Sequence, residues 1–444
     1  MPTRRHLPRR HLLAGTAGLL AAPAIVEQVG AQSAFDWRRF RGTDIEVTLS
    51  LSPRADILQR HQREFEELTG IRVGAEQIPE QQQRQKIVIE FASGRPSFDV
   101  TMVSLHVSKR TLGKARWLSD LRPMLADPTL TAPDFDFGDF TQAGLKYATQ
   151  PDGRLDSLPM FIDLWVLFWN KQLFQEAGLD YPRSMEEMLA AARKLTDPAR
   201  QQYGFVGRGL KNANIPVWTS WLLGQGQETV SPDGRLLTDT AEAIWAGELY
   251  KTLMRECAPP GSIGFNWNES QTSFMQGRAA MWLDGIGFAP PLEDPARSRI
   301  VGKVGYGVTP PGPKAQHAAM FGTSLGVAAA SRKQGAAYLY CQWATNKMNL
   351  LRVLQTGSGA PPRKSPFANP DVMRESRFGR EWFDTLLRSN ELARPGLPEI
   401  IPVTEFRDTF GIALTNMIGG ADVASELRRA TAEFRPVLER SEQA

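Results

Sequence analysis

The histidines are the first side chains to test for catalytic or metal chemistry. The chain has five in 444 residues, and two of them precede residue 32. The other three, His61, His106 and His317, are far apart, so none forms the closely spaced pair with His or Cys that holds a transition metal. A Gly-x-Ser-x-Gly elbow, a phosphate loop and a dinucleotide-binding glycine fingerprint are also missing from the sequence. We therefore expect no metal, no cofactor and no catalytic nucleophile.

Carboxylates could support another kind of catalysis, the hydrolysis of glycosidic bonds by two acidic side chains. The chain has 48 Asp and Glu residues. Distance along the sequence does not reveal which of them face each other across a cleft. An exported glycoside hydrolase therefore stays open as an alternative.

The N-terminal part of the folded chain predicts a parallel β-sheet. Residues 45–49, 71–73 and 99–103 have the apolar and β-branched content of strands. Between them, 55–69 and 81–93 carry apolar residues at helical spacing, and a glycine follows each segment. The order strand, helix, strand, helix, strand is typical of a parallel sheet, which binds ligands beyond the carboxyl ends of its strands.

Three segments follow these strands and define a candidate binding edge. They are residues 50–54, 79–80 and 104–106. Within them, Glu80 and His106 are binding candidates from their position at the strand ends alone.

The rest of the chain predicts mixed helices and strands without an internal repeat. Ser184 and Glu187 have the spacing of a capping box at the start of a helix over 186–195. Residues 211–255 and 403–440 are expected to be mainly helical. Because no Gly/Ser-rich linker divides the chain, we expect two interwoven halves.

The first 31 residues predict an export signal. Four arginines open the chain, an uncharged apolar stretch follows over 12–26, and small residues at 29–31 offer a cleavage site. Residues 8–13 resemble a twin-arginine signal. Removing residues 1–31 leaves 48 basic and 47 acidic side chains. This balance does not favour nucleic-acid binding.

The two cysteines, Cys257 and Cys341, lie far from the expected cleavage site. A lipid anchor at the new N-terminus is therefore not expected, and we predict a soluble periplasmic protein. An oxidising compartment permits a disulfide between them. Two buried free thiols are the other interpretation.

Four segments, in a fixed order, carry a family resemblance. They are 158–180, with LPM, Asp163, LFWNK, LF and EAGLD; 274–281, FMQGRAAM; 305–312, GYGVTPPG; and 326–339, with GVAAASRKQ and AAYL. Their order and spacing resemble the family 1 extracellular solute-binding proteins, the sugar-binding receptors of ABC importers, from about residue 44 to the C-terminus. The sequence departs from the family at Gly287, where an aromatic residue is common and Phe288 follows instead.

The resemblance implies an α/β protein with the type 2 periplasmic binding fold. Two interwoven lobes, 32–162 plus 307–358 and 163–306 plus 359–444, would enclose a ligand cleft at the hinge. It implies a monomeric, non-enzymatic receptor that delivers a small carbohydrate or polyol to the membrane permease subunits of an ABC importer.

Sugar chemistry then suggests the binding residues. Hydroxyl groups need donors and acceptors, and the apolar face of a pyranose packs on an aromatic ring. By resemblance Asp163 lies at the first crossing, and Trp165 alternates with it along a strand. Asp284 ends another strand, while Trp218 and Trp221 lie three apart on a predicted helix. A hinge role for Asp163 and core packing for the tryptophans are the alternatives.

Three further candidates come from loops. Gly322 and Thr323 precede an apolar strand, where backbone N–H groups and a hydroxyl could reach ligand, although a plain turn is equally consistent. Arg363 follows Pro361-Pro362 and resembles the arginine of the family's Pro-x-Arg loop. A sugar phosphate or an oligosaccharide are alternative ligands, and a phosphate would favour several arginines in the cleft.

Overall fold

The computed structural model describes residues 35–376 and 378–443. The predicted signal segment, 1–31, lies outside the described residues. Among those described, no helix is both long enough and apolar enough to cross a membrane. The described part of the chain forms eight strands, which in chain order are β1 (Asp44–Ser50), β2 (Arg72–Ile78), β3 (Val100–Ser104), β4 (Leu158–Asn170), β5 (Met281–Gly285), β6 (Val304–Val308), β7 (Ala318–Val327) and β8 (Ala393–Pro395).

A first sheet has the strand order β2-β1-β3-β7-β4. Strand β1 pairs in parallel with both β2 and β3, which confirms the parallel sheet predicted from the N-terminal segments. Strands β3 and β7, and β7 and β4, are antiparallel, and β8 adds to β7 in parallel.

Strand β4 belongs to two sheets. Its residues 158–164 pair with β7, whereas 165–170 lie between β5 and β6, both antiparallel. Nearly all of β4 is buried, which explains its continuous apolar sequence in place of an alternating pattern. Asp163 and Trp165 lie where the strand passes from one sheet to the other.

Two more segments accompany β4 between the sheets. Strand β6 belongs to the second sheet, and the chain then enters β7 in the first. Farther along, Ala360 forms a bridge with Ile162, with N–O distances of 2.8 and 3.0 Å in the two directions. The two sheets are therefore joined by neighbouring stretches that are distant in sequence, which is how the halves become interwoven.

Helices cover the sheets. Within the described residues they are α1 (Pro53–Thr69), α2 (Glu80–Ala92), α3 (Leu105–Ala115), α4 (Arg122–Ala126), α5 (Gln142–Ala148), α6 (Lys171–Glu176), α7 (Met185–Lys194), α8 (Ile215–Leu223), α9 (Ala241–Glu256), α10 (Trp267–Met275), α11 (Gln334–Ala344), α12 (Lys347–Gln355), α13 (Ser365–Ala368), α14 (Val372–Glu375), α15 (Arg380–Glu391), α16 (Val403–Gly419) and α17 (Val423–Gln443).

Local sequence signals explain several helix ends. The Ser184 hydroxyl accepts from the Glu187 backbone N–H, as the N-cap prediction required. The Glu187 carboxylate, however, accepts from the backbone N–H of Arg183 at 2.9 Å, one residue earlier than a capping box demands. The predicted helical tail is divided at Gly420, whose left-handed φ of 114° ends α16.

The buried apolar side chains form two clusters, one containing Cys341 and the other Cys257. Both cysteines are buried free thiols, so no disulfide joins them. Burial raises the pKa of Cys257 to about 11, which keeps that thiol protonated and unreactive.

Candidate functional site

A cavity lies where the two sheets meet along β4. It has a volume of about 80 Å³. Hydroxyl, charged and aromatic side chains share its wall. The lining residues are Ser50, Leu51, Ser52, Arg54, Glu80, Met102, Ser104, His106, Phe161, Asp163, Trp165, Arg208, Pro216, Trp267, Phe288, Phe321, Gly322, Thr323 and Arg407.

The carboxyl ends of the parallel strands supply one wall. Ser50 ends β1 and Ser52 follows it, while Glu80 begins α2 after β2. Ser104 ends β3, and His106 lies in α3 directly after it. Parallel strands bring their carboxyl ends to one edge of the sheet, so the edge predicted from sequence is at the cavity.

Arg54 and Asp163 form an ion pair in the cavity wall. Ser52 caps α1, which places Arg54 in the first turn, and its Nη2 lies 3.0 Å from Oδ2 of Asp163. Its Nε donates to the carbonyl of Ser358 at 2.7 Å. The guanidinium carbon also lies 3.6 Å from the centre of the Phe161 ring. Because both charged side chains are about nine-tenths buried, each depends on the other for compensation.

Two glycines make room for this pair. A Cβ at Gly285 would lie 2.2 Å from Oδ2 of Asp163, and one at Gly287 would lie 2.3 Å from Nη2 of Arg54. An aromatic side chain at position 287 would therefore displace the Arg54 side chain. The next residue, Phe288, is aromatic and lines the cavity, where it stacks on Trp267 with ring centres 4.8 Å apart.

A second pair, Arg208 with Asp284, stands behind the first. One edge of the Arg208 guanidinium donates to the Asp284 carboxylate, with Nε to Oδ2 at 2.8 Å and Nη2 to Oδ1 at 2.5 Å. Asp284 is fully buried, and burial raises its pKa against the opposing effect of Arg208. Arg208 lies over the Trp165 ring at 4.9 Å and lines the cavity. Asp284 itself does not line the cavity and meets it only through Arg208.

Glu80 stays ionised in the cavity wall. Burial opposes its charge, but the guanidinium groups of Arg84, Arg407 and Arg208 outweigh burial and lower its pKa to about 2. Arg84 pairs with it one turn along α2, and the Ser104 hydroxyl donates to Oε1 at 3.4 Å. Glu80 can therefore accept hydrogen bonds but not donate a proton.

His106 is neutral at physiological pH. Burial lowers its pKa to about 3 against the opposing charge of Glu80, and the charges of Arg407 and Arg84 act in the same direction as burial. Its Nδ1 lies 3.3 Å from the carbonyl of Gly322, and a carbonyl can only accept, so Nδ1 carries the proton. The remaining nitrogen, Nε2, is then an acceptor.

Thr323 offers a hydroxyl with no intramolecular partner. It lines the cavity, and its side chain makes no hydrogen bond with any described residue. Such a group can both donate to and accept from a ligand hydroxyl.

Three predicted contacts lie away from the cavity. Trp218 stacks on Phe410 and donates from Nε1 to the carbonyl of Ala243 at 3.1 Å. Trp221 is fully buried in the same cluster. Both are core residues because every position of α8 is buried.

Arg363 also lies elsewhere and has a structural role. Its guanidinium donates to the carbonyls of Thr345, Asp136 and Phe135 at 2.8–2.9 Å. An ion pair with Asp139 at 3.3 Å completes its surroundings. With these donors satisfied and no exposed surface, Arg363 has nothing left to offer a ligand.

The structure thus gathers six of the predicted residues around one cavity: Asp163, Trp165, Gly322, Thr323, Glu80 and His106. Sequence reasoning missed Arg208, Arg407, Phe161 and Phe321. Arg54 lies within the segment 50–54 expected at the binding edge, but it was not singled out. No motif or spacing identifies Arg407, which reaches the cavity from α16, far along the chain.

Among the described residues, no group of His, Cys, Asp and Glu has the arrangement of a metal site. Two sheets connected through β4, with a polar cavity at their junction, define the class of periplasmic binding proteins. A solved structure supports this fold: the ABC transporter solute-binding protein of Agrobacterium radiobacter K84, in complex with ribitol, matches with a TM-score of 0.80. That match has 27% identity and covers 89% of this chain and 99% of the other.

The family profile described as bacterial extracellular solute-binding protein matches residues 51–349. The chain belongs to this family, which confirms the resemblance of its sequence segments. It is 27% identical to the erythritol/L-threitol-binding protein of Mycolicibacterium smegmatis, over 96% of this chain and 95% of that protein. It is 26% identical to a probable amino-acid ABC transporter periplasmic-binding protein of Sinorhizobium fredii, over 81% and 83%.

Proposed function

We propose that this protein is the receptor of an ABC importer and captures a small carbohydrate or polyol in the cavity beside Asp163. The observation that carries the proposal is the wall itself, where acceptors, donors and aromatic rings face a space of about 80 Å³. The relative that binds erythritol or L-threitol and the structure in complex with ribitol support this ligand class.

The polar groups suit a polyhydroxylated ligand. The carboxylates of Asp163 and Glu80 and Nε2 of His106 accept hydrogen bonds, whereas Arg208 donates them. The Thr323 hydroxyl does both. Each hydroxyl of a polyol needs a donor and an acceptor, and a ligand without them would leave these buried groups unpaired.

The size of the cavity favours a short ligand. A cavity of about 80 Å³ lies well below the roughly 300–1,000 Å³ of typical small-molecule pockets. An oligosaccharide would need a larger or open cleft. Phe288 and Phe161 supply apolar surface for the carbon chain.

The charges at the cavity do not suit glycoside hydrolysis. A hydrolase needs one carboxylic acid that is protonated near neutral pH. Glu80 has a pKa of about 2, and Asp163 is paired with Arg54. Asp284, whose pKa burial raises, lies behind Arg208 and does not line the cavity. None of the three is placed to donate a proton, which supports a binding role.

We propose that 32–162 plus 307–358 and 163–306 plus 359–444 act as two lobes that close on the ligand about the three neighbouring crossings. A ligand that contacts both lobes binds the closed form better and shifts the population toward it. The permease subunits would then recognise the closed, ligand-bound monomer after its export to the periplasm.

A thermal-shift and calorimetry series tests the ligand class. Erythritol, ribitol, mannitol, maltose and a set of amino acids are each added at 1 mM to the purified protein. A micromolar ligand adds about 4 kcal/mol at that concentration. With an unfolding entropy of about 2.1 cal/mol/K per residue over about 410 residues, Tm rises by about 5 °C. A rise with an amino acid alone would refute the proposed ligand class, and a rise with maltose alone would refute the short ligand.

A matched pair of threonine variants then places the ligand. Thr323→Val removes a hydroxyl that has no protein partner, so we expect affinity to fall about tenfold, which is about 1.4 kcal/mol, with little change in stability. Thr48→Val is the control, because its hydroxyl is also unpartnered and fully buried but lies away from the cavity. Equal affinity in both variants would contradict the placement.

A further inference from the structure

The guanidinium groups around the cavity outnumber the carboxylates. Arg54 pairs with Asp163 and Arg208 with Asp284, and the pair of Arg84 with Glu80 lies within α2. Arg407 is the fourth arginine, and among the described residues no carboxylate lies within ion-pair distance of it. One positive charge is therefore left without a carboxylate of its own.

One guanidinium nitrogen of Arg407 is hydrogen-bonded to the protein, and its two terminal nitrogens are not bonded to any described residue. Its Nε donates to the carbonyl of Asn212 at 3.1 Å, and the residue is only 5% exposed. The nearby Asp408 already pairs with Lys211 at 3.4 Å. Within the described part of the chain, neither terminal nitrogen of Arg407 makes a hydrogen bond, although the residue lines the cavity.

A buried cation without a partner is costly, and a ligand that supplies an anion removes that cost. The two free nitrogens form the planar fork that binds a carboxylate through two parallel hydrogen bonds. A carboxylate carries one negative charge, which equals the charge left over. A phosphate monoester carries about −1.5 to −2 at neutral pH and would overcompensate it.

We propose that Arg407 binds a ligand carboxylate, so that the preferred ligand is a short polyhydroxy acid rather than the neutral polyol of the same length. The hydroxyl groups of such an acid would face Thr323, His106 and Asp163, and its carboxylate would face α16. This inference rests on the proposed function and refines its ligand class.

The test compares neutral and acidic ligands of equal length by calorimetry. Erythritol is paired with erythronate and ribitol with ribonate, and erythritol 4-phosphate represents the phosphate class. Wild-type protein is expected to bind each acid at least tenfold more tightly than its polyol and more tightly than the phosphate. Equal or weaker binding of the acids would overturn the inference, as would tighter binding of the phosphate.

Variants assign the effect to Arg407. Arg407→Gln is expected to remove the preference for the acid, and Arg407→Lys to keep part of it. Arg255→Gln is the control, because Arg255 also donates to a backbone carbonyl but is exposed and lies outside the cavity. A preference that persists in Arg407→Gln would overturn the role of Arg407, and the wild-type comparison stands even if that variant does not fold.

The failure of this inference differs from the failure of the proposed function. If neutral polyols bind and the acids bind no better, only the carboxylate assignment is wrong. If neither polyols nor polyhydroxy acids bind, the proposed function is wrong as well.

Discussion

Replacing Asp163 by Asn tests whether the ion pair with Arg54 holds the junction of the two sheets. The substitution keeps the shape of the side chain and removes its charge. Arg54 would stay buried as a cation without its carboxylate partner, although its Nε would still donate to the Ser358 carbonyl. Breaking a buried ion pair from one side costs about 3–5 kcal/mol. At about 2.1 cal/mol/K per residue, Tm should fall by about 3–6 °C.

Differential scanning calorimetry of a double-mutant cycle measures this effect. The variants are Asp163→Asn, Arg54→Met and the double replacement. Because the double variant leaves no unpaired buried charge, we expect it to recover at least half of the stability lost in Asp163→Asn. A Tm for Asp163→Asn within 1 °C of wild type would show that the ion pair does not stabilise the junction of the two sheets. Strictly additive losses of stability in the two single variants and the double variant would show the same.

Three further predictions concern the roles of individual side chains. His106 should make the free energy of unfolding fall by about 2 kcal/mol from pH 7 to pH 5, since its folded pKa is about 3 whereas the unfolded side chain titrates near 6.5. The unfolded state therefore takes up the proton as pH falls, and chemical denaturation should show a smaller loss in His106→Gln; equal losses would contradict this. Trp218→Phe should lower stability by about 1–3 kcal/mol through its lost bond to Ala243 and leave ligand affinity unchanged. Trp165→Phe should weaken ligand binding, as measured by calorimetry. If Trp218→Phe lowered ligand affinity and Trp165→Phe did not, Trp218 would be the binding residue and Trp165 the core residue. Arg363→Lys should lower Tm, because lysine cannot reach all three carbonyls, without changing the dissociation constant; a loss of affinity alone would return Arg363 to the site.

Much of the fold could be predicted from local pattern. The strands and helices from β1 to β3 follow from apolar spacing, the N-cap at Ser184 follows from its hydroxyl, and the parallel pairing follows from their order. The parallel order also placed Glu80 and His106 at the cavity. These features depend on residues that are close together in the sequence, so the sequence alone predicts them.

The rest of the site depends on contacts between distant segments. Arg407 comes to the cavity on α16, which packs against α8 and α9, and Arg208 follows Val206, which bridges Trp282 of β5. No spacing in the sequence encodes these contacts. Trp218 and Arg363 are the opposite case, because the structure places both away from the cavity. An aromatic ring or a guanidinium suits a sugar, but it suits a buried core or a cluster of carbonyls equally well. Burial decides between these roles.

A crystal structure of the protein with its tightest-binding polyol or polyhydroxy acid would show directly whether ligand binds in the cavity beside Asp163. We predict that the ligand occupies the cavity, with a hydroxyl within hydrogen-bond distance of the Asp163 carboxylate and another near the Thr323 hydroxyl. The proposed binding site would be wrong if the ligand left the cavity beside β4 unoccupied and bound in the surface groove formed by residues such as Tyr203, Asn268 and Arg278.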